Sequence, residues 1–139
     1  MARAISCGVI VTDGAHLLLG HAARSARWDI PKGLAEVGET HAEAASRELK
    51  EESGLEVAAA HLLPLGLHAY LPAKDLALFV WRPAAMPRPE TLVCASTLAI
   101  DGVQFAEFDR FGIFSWDDAL TRVGKNMARV LGGVRGLIA

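Results

Sequence analysis

The chain has 139 residues, of which 52% are hydrophobic, 22% charged and 6% aromatic, a composition that argues for one packed domain spanning 1–139 and against disorder. Its 14 basic and 16 acidic side chains leave a formal net charge of -2, without the basic excess of a protein that grips a nucleic-acid duplex. Any nucleotide it handles is expected to be a small molecule or a chain end. The start, MARAISCGVIVTDG, lacks the layout of a signal peptide, and AAAHLLPLGLHAYLPA is broken by Pro64, Gly66 and two histidines, so neither a secretory leader nor a membrane span is expected. The expectation is a soluble cytoplasmic protein. Two cysteines, Cys7 and Cys94, make neither a disulfide framework nor a metal cluster, and both lie in apolar, strand-like runs that suggest buried free thiols.

AISCGVIVT predicts a strand closed by the turn signal Asp13-Gly14, with AHLLLGHA as its hairpin partner. ARSARWDIPKG reads as a loop, because Pro31 disfavours helix at Ile30. The clearest helix runs from Thr40 to Ser53: Thr40 and Glu43 have capping-box spacing, and Gly54 stands where a C-terminal glycine is expected. One or two strands interrupted at Pro64 follow, and then LALFVW as a buried strand. RPAAMPRPE predicts an irregular loop. LVCASTLAI and QFAEFDRFGIFSW suggest further strands, the second partly loop. From Trp116 onward the chain reads as mostly helical, weakened by Gly132, Gly133 and Gly136. The pattern predicts an α/β (α+β) sandwich around a mixed sheet.

At 100° per residue the helix separates into three faces. Glu48, Glu51 and Glu52 share one with Ala44; Ala42, Ala45 and Leu49 form an apolar one; Glu43, Arg47 and Lys50 occupy the third. The carboxylates are thus expected neither in the core nor paired with Lys50. Glu43 with Arg47 and Arg47 with Glu51 have ion-pair spacing, each worth only ~0.2–0.5 kcal/mol, whereas Glu48 and Glu52 should repel. A solvated acidic face remains one reading of the helix taken alone.

The stretch GLAEVGETHAEAASRELKEESGL fits G-x5-E-x7-R-E-L-x-E-E-x-G-L without a gap, through Gly33, Glu39, Arg47, Glu48, Leu49, Glu51, Glu52, Gly54 and Leu55. It resembles the signature of the Nudix hydrolase family, and WDIPKG before it and EFDRFGIFSWDDAL after it are similar to that family's layout. The resemblance implies an α/β/α sandwich and metal-dependent attack of water on a nucleoside diphosphate linked to another group X. It implies Mg²⁺ or Mn²⁺ held by Glu48, Glu51, Glu52 and the Gly33 carbonyl, since hard cations prefer oxygen ligands. Crowded glutamates would then serve as ligands. By the same resemblance Arg47 orients a box carboxylate, Glu39 or Glu51, and Glu39 braces the loop. The general base is one of Glu48, Glu52 and Glu107, and Asp109 is a weaker option. Gly38 and Gly54 read as backbone-conformation residues.

Lys32 stands where it can meet a phosphate, while Arg24 and Arg27 either attract polyphosphate or simply form a basic loop. The histidines at 16, 21, 41, 61 and 68 lack ligand spacing. The WDIPKG entry resembles that of dinucleoside tetraphosphate hydrolases, although Leu34 replaces a common histidine. Tyr70, the only tyrosine, lies beyond the box where those enzymes carry a base-stacking ring. Nucleoside triphosphates, ADP-ribose and RNA 5′ ends are alternative substrates, and a non-catalytic nucleotide sensor is the alternative class. A small-molecule nucleotide is the expected partner, with monomer and homodimer both open.

Overall fold

The computed structural model describes residues 3–138. Nine strands and three α-helices follow in chain order among the described residues: β1 Ala4–Val11, β2 His16–Ala22, β3 Trp28–Asp29, β4 Lys32–Leu34, α1 His41–Ser53, β5 Leu63–Leu71, β6 Lys74–Trp81, β7 Thr97–Ile100, β8 Val103–Ala106, β9 Phe108–Ser115, α2 Trp116–Arg122 and α3 Lys125–Ile138. They form a mixed four-stranded sheet in the order β4-β1-β6-β5, a three-stranded sheet β3-β2-β9 and a β7-β8 ribbon. Within the mixed sheet β1 runs parallel to β6 and antiparallel to β4. The architecture is the expected α+β sandwich around a mixed sheet.

Strand alternation builds two cores. Ile10, Leu17, Leu19, Leu76, Leu78 and Val80 pack with Trp116, Met127, Leu131 and Val134 from α2 and α3. Their neighbours in sequence, Val9, Val11, Leu18, Ala77 and Phe79, point the other way and pack with Ala44, Ala45 and Leu49 of α1. β1 and β6 are therefore covered on both faces, which explains why their runs are apolar without a polar alternate. Among the described residues no helix is long and apolar enough to cross a membrane.

Helix α1 starts and stops as its ends require. Thr40 Oγ1 accepts from the Glu43 amide, Glu43 Oε1 accepts from the Thr40 amide, and Gly54 closes the helix at φ 82°. Glu43 is spent on the cap, and Arg47, its expected partner, pairs with Glu39, Glu48 and Glu51.

Other departures from expectation have tertiary causes. β1 and β2 share only the bridge Thr12↔Leu17; past it β2 leaves to pair with β3 and β9, so the hairpin is not continued. The expected loop around Pro31 contains β3 and β4, because Lys32, Gly33 and Leu34 find partners on β1 that no local pattern announces. β5 runs through Pro64, which an edge strand tolerates, and absorbs the irregularity as a register shift between Pro64 and Leu67. Of LVCASTLAI only Thr97–Ile100 is strand. Cys94 consequently lies outside any strand and is half-buried, whereas Cys7 is buried and its thiol is pushed up to about 11, chiefly by burial. The C-terminal helical region divides at Val123 and Gly124, yet α3 passes through its glycines, which face outward while Met127, Val130, Leu131, Val134 and Ile138 hold its inner face.

Candidate functional site

Two elements distant in sequence meet at the site. β4 brings Lys32 and Gly33 to the sheet edge beside β1, and α1 crosses over them. The close approach uses the bare glycine backbone: with a Cβ on Gly33 the carboxyl group of Glu48 would have to swing aside. One turn further on, Glu52 Oε1 accepts a 2.9 Å hydrogen bond from the Lys32 amide. Glu107, in the single-residue gap between β8 and β9, brings its carboxyl against that of Glu52. Lys32, Gly33, Glu36, Glu48, Glu52 and Glu107 line one cleft of about 620 Å³.

Contrary to the helix-face reading, Glu52 is 6% exposed and buried, because β4 and Glu107 cover the face that the wheel leaves open. Burial, reinforced by the contact with Glu107, holds its carboxyl far above the usual carboxylate range. Glu48 is also raised, mainly by burial, although the Arg47 guanidinium pulls the other way. Glu51 points outward at 43% side-chain exposure and does not line the cleft. The three glutamates therefore divide into two that face the cleft and one at its outer margin.

Arg47 organises the rim. Its Nε and Nη2 donate to Glu39 at 2.7 and 2.9 Å, Nη1 donates to Glu48 at 2.9 Å, and Nη2 also reaches the Leu34 carbonyl at 3.0 Å. Nη1 lies 3.3 Å from Glu51, completing the expected i,i+4 pair. Glu39 in turn accepts from the Glu36 amide at 2.8 Å, so it fastens the loop between β4 and α1. The Arg47 fork and the Glu36 amide hold the Glu39 carboxyl at about 2. Gly38, in the same loop, takes φ 87°.

Lys32 turns its ammonium to Asp29 and Tyr70. Its Nζ lies 3.1 Å from Asp29 Oδ2 and 5.8 Å from the centre of the Tyr70 ring. Burial opposes its charge, but Asp29, Tyr70 and Glu52 outweigh that and raise its pKa. Tyr70 lines a second cleft of about 200 Å³ with Arg27, Asp29, Lys125 and Asn126. Burial raises the Tyr70 hydroxyl, against the pull of Lys32. Asp29, Lys125 and Asn126 carry no signal in the sequence; the packing of α3 beside β5 brings Lys125 and Asn126 to Tyr70, and Asp29 comes from β3. Arg24 instead lies over Phe105, and Asp109 pairs with His21 at 2.8 Å, away from the cleft.

The donor set suits a hard divalent cation. Among the described residues no three His, Cys, Asp or Glu side chains form a ready-made cage. The fit rests on carboxylate oxygens gathered at a backbone made bare by glycine, where burial and the neighbouring Glu107 disfavour charge on Glu52. A cation there would offset that.

The family model for the NUDIX domain matches residues 2–131. An uncharacterized 17.7 kDa protein from the e-segB intergenic region of Enterobacteria phage T4 is 31% identical over 141 residues, covering 93% of each chain. Among solved structures, an Ap4A hydrolase from C. elegans superposes with a TM-score of 0.69 at 19% identity, covering 95% of this chain and 96% of that one. A bifunctional NMN adenylyltransferase/ADP ribose pyrophosphatase from Francisella tularensis, solved with AMP and a Mn ion, also gives 0.69, at 17% identity over 99% of this chain and 42% of its own. The fold is shared with both structures, and the match to the family model carries the assignment further: the chain belongs to the Nudix hydrolase family.

Proposed function

We propose that this protein is a divalent-metal-dependent pyrophosphohydrolase acting on a nucleoside diphosphate linked to a further group, with dinucleoside polyphosphates of the diadenosine tetraphosphate type as the leading substrate. The observation that carries the reading is the convergence of Glu48, Glu52 and Glu107 on the cleft at Gly33. Glu48, Glu52 and the Gly33 carbonyl would hold Mg²⁺ or Mn²⁺, and Glu51 would join them from the margin. The cation supplies charge neutralisation for the phosphoryl oxygens and the leaving diphosphate.

The chain's own residues do the rest. Arg47 orients Glu48 and ties the rim loop through Glu39. A carboxyl beside the cleft must accept the proton of the attacking water, and Glu48, Glu52 and Glu107 all stand there. Of these, Glu52 is the one whose carboxyl is pushed far above the usual range, by burial and then by the neighbouring Glu107.

The second cleft supports the substrate choice. A polyphosphate starting at the carboxylates meets Lys32 next, and beyond Lys32 lie the Tyr70 ring and the cations Arg27 and Lys125. Such a groove suits a base stacked on an aromatic ring and attached to a phosphate chain. We extend the reading to a single domain over residues 1–139 that works in the cytoplasm on small nucleotides rather than on duplexes or membranes.

The test is product analysis by ion-exchange chromatography after incubation with Mg²⁺ or Mn²⁺. The panel holds diadenosine tetraphosphate, ADP-ribose, nucleoside triphosphates and 5′-triphosphorylated RNA, with Glu52→Gln as control. Metal-dependent cleavage of diadenosine tetraphosphate, lost in the variant, is expected. Cleavage of another member alone would replace the substrate, and binding without cleavage anywhere would favour a nucleotide sensor.

A further inference from the structure

The chain between the proline-rich loop and β7 has no regular structure, yet its amides are satisfied in a particular place. The Val93 amide donates to the Ser53 carbonyl at 3.2 Å, and the amides of Ala95 and Ser96 both donate to the Glu51 carbonyl, at 2.7 and 3.2 Å. These carbonyls belong to the last turn of α1, where helices leave acceptors without internal partners. The segment is thereby fastened to the end of the helix that carries Glu48 and Glu52.

From this anchorage Ser96 holds Glu107 at two points. The Ser96 carbonyl accepts from the Glu107 amide at 2.9 Å, and the Ser96 hydroxyl donates to Glu107 Oε2 at 2.7 Å. Cys94 adds support, its sulfur accepting from the Phe108 amide and its thiol donating to the Ser96 carbonyl, both at 3.4 Å. A hydroxyl bound to a carboxylate at this length is a strong, directional restraint on a side chain that otherwise rotates freely.

We infer that Ser96 is a positioning residue, which holds the Glu107 carboxyl against Glu52 and registers both to the same end of α1. The inference rests on the proposed metal-dependent hydrolase, because it assigns Glu107 a part in that site. Ser96 itself does not line the cleft and acts only through Glu107, which does.

The experiment compares Ser96→Ala and Ser96→Thr with wild type in three measurements: Mn²⁺ affinity from the electron paramagnetic resonance signal of free ion, steady-state kinetics, and thermal melting. Glu107 lines the cleft beside the proposed ligand Glu52, and loss of an outer contact that keeps a ligand's neighbour in place typically costs about 10–100-fold in metal affinity or activity. Ser96→Ala is expected to lower Mn²⁺ affinity and kcat by about tenfold, with KM changed less than about twofold and the melting temperature near wild type. Ser96→Thr, which keeps the hydroxyl, is expected to restore both. Wild-type behaviour in Ser96→Ala would overturn the role, as would equal losses in both variants accompanied by the same drop in melting temperature. A wild-type protein that neither binds Mn²⁺ nor cleaves the panel would instead sink the proposed function, and the positioning role would fall with it.

Discussion

The Glu48 carboxyl group lies against the bare backbone of Gly33, and with a Cβ on Gly33 it would have to swing aside. The glycine of the signature thus leaves space at a helix–strand contact, and its backbone conformation is not of the left-handed kind seen at Gly38 and Gly54. Gly33→Ala is expected to push Glu48 out of the cleft while leaving both cores intact. A displacement of about 1 Å in a catalytic group can cost on the order of 100-fold in rate. Steady-state kinetics beside circular dichroism checks this, and near-normal turnover in a folded variant would remove the steric role.

Arg47 makes four short hydrogen bonds to Glu39, Glu48 and the Leu34 carbonyl through a planar fork. Lysine offers one point charge and cannot satisfy two carboxylates and a carbonyl together. Arg47→Lys should therefore lose about 1.5–3 kcal/mol in chemical denaturation, the range for hydrogen bonds to charged groups, and kcat should fall with it. Unchanged stability would mean that the fork is not maintained in solution.

Glu39 gives a pH signature. Its carboxyl is held at about 2, against an ordinary 4.5, by Arg47 and then by the Glu36 amide. A depressed folded value contributes stability that is fully present above 4.5 and is lost as pH falls through about 2. The stability gap between wild type and Glu39→Gln should accordingly be constant near neutrality and close over that acid window. A gap that widens on acidification would carry the wrong sign.

Much of this was legible in the sequence because the information is local. The capping pair Thr40 and Glu43, the C-terminal Gly54 and the apolar runs of β1 and β6 depend on neighbours a few residues away, and all are found in place. What could not be read depends on partners far along the chain. Glu52 looks solvated on a helical wheel and is buried because β4 and Glu107 close over it. Lys32 looks like a free loop cation and is tied to Asp29. Asn126 and Lys125 reach Tyr70 only through the placement of α3 against β5, which no periodicity encodes.

Tyr70 tests the substrate reading independently of the metal. Base stacking on an aromatic ring is worth ~1–3 kcal/mol, and each 1.4 kcal/mol is tenfold. Tyr70→Ala should raise KM for an adenine dinucleotide about tenfold or more while residual turnover persists. An unchanged KM would move the base elsewhere.

The most direct measurement is the thermal shift produced by Mg²⁺ or Mn²⁺ in wild type and in Glu52→Gln. A ligand at about 100 times its dissociation constant stabilises the folded state by about 2.7 kcal/mol, a rise of roughly 5–10 °C for a chain of this size. Wild type should show that rise and Glu52→Gln less than about half of it. Equal rises in the two proteins would contradict Glu52 as a ligand and, with it, the account of why these glutamates are crowded around Gly33.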